Sequence, residues 1–91
     1  MLTVAAGKPF DVELGAGPTT GYMWQLESPP AGVQLLGSDF RQSPSAAIGD
    51  GGTQVFNLRA EHVGRFHLHF QLKRQWESSA IRSQIIEVDA Q

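Results

Sequence analysis

The stretch "RFHLHFQLK", residues 65 to 73, sets Phe66, Leu68, Phe70 and Leu72 against Arg65, His67, His69, Gln71 and Lys73 in strict alternation. A period of two puts each set on its own face, so the segment predicts a strand with one buried side. "FDVEL" repeats the pattern, with Phe10, Val12 and Leu14 opposed to Asp11 and Glu13. Leu2 to Ala6, Tyr22 to Leu26, Val33 to Phe40, Thr53 to Ala60 and Ile81 to Asp89 complete a set of seven candidate strands. In the last of these, Ile81 and Ile85 fall on one side and Ile86 and Val88 on the other, which predicts a bulge or a strand buried on both faces. No stretch shows a helical period. Ten glycines and five prolines punctuate the chain at strand-sized intervals.

Short strands separated by turn signals at this spacing predict an all-β fold, an immunoglobulin-like antiparallel β-sandwich of about seven strands. We expect one domain over residues 1–91, since a chain of this length supports a single, thin core. The links after the first, third and fifth strands, "GKP", "ESPPAG" and "EHVG", are ordinary turns. Those after the second, fourth and sixth, "GAGPTTG", "RQSPSAAIGDGG" and "RQWESSA", are longer on average and chemically unusual. If every strand reverses direction, these three links converge at one end, where a rigid scaffold can present them together.

Composition narrows the partners. A formal net charge of −2 and unclustered Lys and Arg argue against nucleic acid or an anionic membrane, both of which need a basic patch. The absence of cysteine removes disulfides, thiolate nucleophiles and Cys-based zinc sites. No run approaches the roughly 20 apolar residues of a membrane span, and "MLTVAAGKPF" is not a signal peptide. The protein is therefore expected in the cytoplasm if Met1 is native, and in the periplasm or outside the cell if a signal was removed.

In "GPTTGYMW", residues 17 to 24, Pro18 fixes its own φ and holds Gly17 extended, while Gly21 can supply the positive φ that closes a turn. Between them stand Thr19 and Thr20, stiff at χ1, so a tip built this way loses little entropy on binding. Tyr22 and Trp24 share one face of the following strand; Trp24 is expected in the core between the sheets, and Tyr22 at the strand's first residue. Trp76 lies in a polar loop between Gln75 and Glu77, the setting of a contact anchor, and Arg74 stands two residues away.

"GPTTGYMW", "GDGG" at 49 to 52 and "RQWE" at 74 to 77, in this order and on these links, resemble the chagasin-type inhibitors of cysteine peptidases. The resemblance implies an immunoglobulin-like sandwich that inhibits papain-like peptidases reversibly, without enzymatic activity of its own and without a cofactor or metal. It implies a peptidase-binding set of Pro18, Thr19, Thr20, Gly21 and Tyr22, then Gly49, Asp50, Gly51 and Gly52, then Arg74, Gln75 and Trp76. Thr19 and Thr20 would form a wedge near the catalytic cysteine, the 49 to 52 segment would lie along one arm of the cleft, and Arg74 with Trp76 would pack on the other. Two positions depart from the pattern: Gly17 replaces the usual Asn and Gln75 the usual Pro, and each removes a restraint on its loop. The free protein is expected to be a monomer.

A second reading stays open on the residues themselves: an immunoglobulin-like adhesion or accessory module that uses the same loops on another protein or a carbohydrate. "GDGG" lacks the Lys-Ser/Thr of a phosphate loop. His67 and His69 share a face but lack a third ligand close in sequence, so solvent-facing histidines are the expectation. No Ser, His and Asp are spaced as a catalytic triad.

Overall fold

In the computed structural model the described residues are 1–16, 22–42, 52–74 and 76–91. They form seven strands: β1 (Leu2–Val4), β2 (Pro9–Ala16), β3 (Tyr22–Leu26), β4 (Val33–Gln42), β5 (Gly52–Ala60), β6 (Gly64–Arg74) and β7 (Arg82–Ala90). Two sheets face each other, one of order β1-β7-β6-β3 and one of order β2-β5-β4. This is the seven-strand sandwich that the alternation requires.

The alternation also selects the core. Val12 and Leu14 of β2, Trp24 of β3, Val33 of β4, Phe56 and Leu58 of β5, Leu68 and Phe70 of β6 and Val88 of β7 pack as one buried cluster. Phe56 and Phe70 meet across the two sheets with ring centroids 4.9 Å apart and planes tilted by 55°. Tilted rings at this distance add specific aromatic attraction to the area they bury.

Two expectations need correction. The sandwich is not wholly antiparallel, because β1 pairs with β7 in parallel, Leu2 opposite Val88 and Val4 opposite Ala90. The reason lies in the turn after β1: Lys8 N–H donates to the Ala5 carbonyl, Gly7 takes a positive φ of 81°, and β2 then joins the other sheet. β1 thus acts as a short edge strip beside β7, and Gln91 N–H extends the ladder to the Val4 carbonyl. The second correction concerns the bulge foreseen in the last strand. β7 runs in unbroken register with β6 from Arg82 to Ala90, with Val88 buried and Ile85 left 58% exposed. The register shift falls instead in β4, between Leu35 and Gly37. Such a bulge twists an edge strand away from its neighbours, and β4 is an edge strand.

The strand ends fix where the loops lie. Ala16, where β2 ends, pairs with Gly52, where β5 begins, and Gly52 pairs on its other side with Gln42, where β4 ends. In the second sheet Tyr22, the first residue of β3, pairs with Arg74, the last of β6, and Arg82 begins β7 opposite Leu72. Residues 17–21 join Ala16 to Tyr22, so both rows belong to the same end of the sandwich. The links 17–21, 43–51 and 75–81 are all anchored there.

Candidate functional site

Of the residues singled out in the sequence, Tyr22, Gly52, Arg74 and Trp76 lie among those described. Pro18, Thr19, Thr20, Gly21, Gly49, Asp50, Gly51 and Gln75 lie outside them.

The base of the 75–81 link is built by two hydrogen bonds. Glu77 N–H donates to the Arg74 carbonyl at 3.1 Å, closing a four-residue turn, and Ile81 N–H donates to the Leu72 carbonyl at 2.9 Å, closing the loop below it. Trp76 occupies the third position of that turn and is 75% exposed. A tryptophan so placed stands outside the core, whereas Trp24 is 5% exposed inside it. The two tryptophans thus divide as the sequence suggests.

Arg74 connects the two neighbouring loop bases. Its guanidinium carbon lies 4.5 Å from the centroid of the Tyr22 ring and 5.9 Å from that of Trp76. Its Nη1 also lies 3.4 Å from Glu77 Oε1, within the same turn. Cation–π contacts of this kind contribute about 0.5–1 kcal/mol each at partly exposed sites. More important here is the geometry: one planar cation holds the residue that follows 17–21 beside the residue that leads the 75–81 link.

Gly52 has a structural reason of its own. A Cβ at this position would lie 2.5 Å from the Arg41 carbonyl oxygen and 2.6 Å from Phe40 Cζ, so only glycine lets β5 begin this close to β4.

Beneath the loop bases lies a feature that the sequence reading passed over. Gln54 is 5% exposed and shares the inward face of β5 with Phe56 and Leu58. Its side-chain amide grips both backbone groups of one residue in the opposite sheet: Trp24 N–H donates to Gln54 Oε1 at 2.6 Å, and Gln54 Nε2 donates to the Trp24 carbonyl at 3.0 Å. Trp24 Nε1 in turn donates to the Gly15 carbonyl at 2.8 Å. The relay joins β2, where it leaves for 17–21, to β3, where it returns, and to β5, where it enters from 43–51. A polar residue on the inward parity of "TQVFNL" was the available signal. Replacing Gln54 with Met keeps the volume but strands two buried backbone groups, and we expect a loss of about 2–4 kcal/mol in urea unfolding.

His67 and His69 are both exposed on the outer face of β6, as expected, with Glu87 opposite His67. Among the described residues no group of three His, Cys, Asp or Glu is placed to hold a metal. What the described part of this end presents is an exposed tryptophan, an arginine lying over two rings and a tyrosine, on a hydrogen-bonded base.

Comparison with known proteins places this arrangement. The model of the "Chagasin family peptidase inhibitor I42" matches residues 3–89. Chagasin from Trypanosoma cruzi is 29% identical over 80 residues, a match covering 82% of this chain and 73% of chagasin. The crystal structure of the cysteine protease inhibitor EhICP2 from Entamoeba histolytica superposes with a TM-score of 0.78 at 23% identity, covering 99% of this chain and 85% of that one. The solution structure of amebosin gives a TM-score of 0.76 at 22% identity, covering 99% and 87%. At these identities the two structures establish the fold.

Proposed function

This chain belongs to the chagasin family of peptidase inhibitors, and from that premise we propose that it blocks papain-like cysteine peptidases reversibly by laying one end of its sandwich across their active-site cleft. The observation that carries the reading is Trp76, 75% exposed on a closed turn at the end from which all three unusual links depart. A large aromatic held in water by a rigid frame is poised to be desolvated by a partner, the property of an interface anchor.

In this reading Thr19 and Thr20 enter the cleft as a wedge, flanked by Pro18 and Gly21 and held from below by Tyr22. Gly49, Asp50, Gly51 and Gly52 lie along one arm of the cleft and present backbone. Arg74, Gln75 and Trp76 pack on the other arm. No bond is made or broken. Inhibition follows from occlusion, and a threonine tip restrained by Pro18 offers the enzyme no peptide bond in cleavable geometry. An interface of standard size would bury about 1,600 Å² in total.

Titrating papain with the purified protein tests the proposal. We expect stoichiometric, dilution-reversible loss of activity against a small peptide substrate. Full activity of papain and of several related peptidases at micromolar inhibitor would refute it.

A further inference from the structure

The charges at the loop-bearing end are unevenly distributed. Lys73, Arg74 and Arg82 surround the 75–81 link, and among the described residues Glu77 is the one carboxylate beside them. Arg74 and Arg82 are two strand residues away from each other across the β6–β7 ladder, since Arg82 pairs with Leu72. Arg82 is exposed, and among the described residues neither it nor Lys73 enters a salt bridge, whereas Arg41, Arg59, Arg65 and Arg74 all do. The other sheet contributes the opposite sign. Glu13 and Asp39 flank Arg41 near the ends of β2 and β4. Among the described residues, three cations thus stand with one carboxylate, Glu77, around the exposed tryptophan of a protein whose formal net charge is −2.

Fixed charges near an interface rim act chiefly on encounter and orientation. A cationic side next to an anionic side also gives the end a direction. We infer that the partner is a peptidase bearing carboxylates on the arm that receives the 75–81 link, and that Lys73 and Arg82 steer and orient the encounter while Trp76 holds the complex. This rests on the inhibitory reading above and adds to it the electrostatic class of the target. It also assigns a role to Arg82, a residue outside the resemblance motifs.

The experiment measures association and dissociation rates by stopped-flow inhibition of two papain-like peptidases, one net acidic and one net basic at the assay pH. The inhibitors are the unaltered protein, the double variant Lys73→Glu with Arg82→Glu, and Lys8→Glu as a charge reversal at the far end. Circular dichroism confirms that each is folded. With the acidic enzyme at low ionic strength, the double variant should associate about tenfold more slowly, with little change in dissociation. Lys8→Glu should change it less than twofold. The difference should vanish towards about 1 M salt, where the Debye length is about 3 Å. With the basic enzyme the unaltered protein should lose its advantage. Equal association rates for the double variant and Lys8→Glu would overturn the inference while leaving inhibition established. Inhibition of neither enzyme by the unaltered protein would overturn both it and the reading on which it rests.

Discussion

Trp76→Ala is expected to raise the inhibition constant for a papain-like target by at least about 30-fold, close to 2 kcal/mol, with a loss of folding stability no larger than its contact with Arg74 contributes, about 0.5–1 kcal/mol. Both halves of the expectation come from one number: the side chain is 75% exposed, so the free protein loses almost no packing when it is removed. Among the described residues, Arg74 approaches its ring at 5.9 Å, over the turn on which it stands. Removing the ring leaves the Glu77–Arg74 backbone bond in place, so the loop keeps its shape. Inhibition titrations set against urea unfolding curves check the result. A stability loss with unchanged inhibition would assign Trp76 to the fold instead.

Phe70→Ala is the converse, with its largest effect on folding. Phe70 is fully buried at the centre of β6 and meets Phe56 across the sheets at 4.9 Å. Truncating a buried phenylalanine costs about 3–5 kcal/mol, a transfer loss plus the cavity left behind. A domain of this size has about 5–15 kcal/mol of stability in all. The variant should therefore unfold at a much lower urea concentration, while any folded fraction still inhibits, because Phe70 pairs with Leu26 at the base of β3 and not with a loop residue. An unfolding midpoint within experimental error of the unaltered protein would contradict the core described here.

The strands were legible in the sequence because one sheet face is buried, and burial forces a period of two. The expected span Tyr22–Leu26 recurs unchanged as β3, and the expected 65–73 is extended by one residue at each end in β6. What the alternation could not carry was pairing. Leu2 to Val4 has the same pattern whether it runs with β7 or against it, and the direction is set by the Ala5–Lys8 turn. Ile85 and Ile86 posed a similar ambiguity, since adjacent isoleucines imply two buried faces, yet β7 buries one and leaves Ile85 in solvent. At the loop-bearing end, Tyr22, Arg74 and Trp76 could be picked out singly as motif letters. That Arg74 lies over both rings depends on the Tyr22–Arg74 register, which is a tertiary fact. Gln54 escaped notice because a glutamine within a strand reads as surface, and its role appears only when the facing backbone of Trp24 is in view.

That glutamine has a further consequence. β3 closes its sheet, so the backbone groups of Trp24 that turn away from β6 would otherwise offer a docking strip to any extended polypeptide. Gln54 occupies the Trp24 position of that strip from within the same molecule. At that position the edge of β3 is closed to a second polypeptide, because both backbone groups through which a strand would add are already bonded inside the molecule.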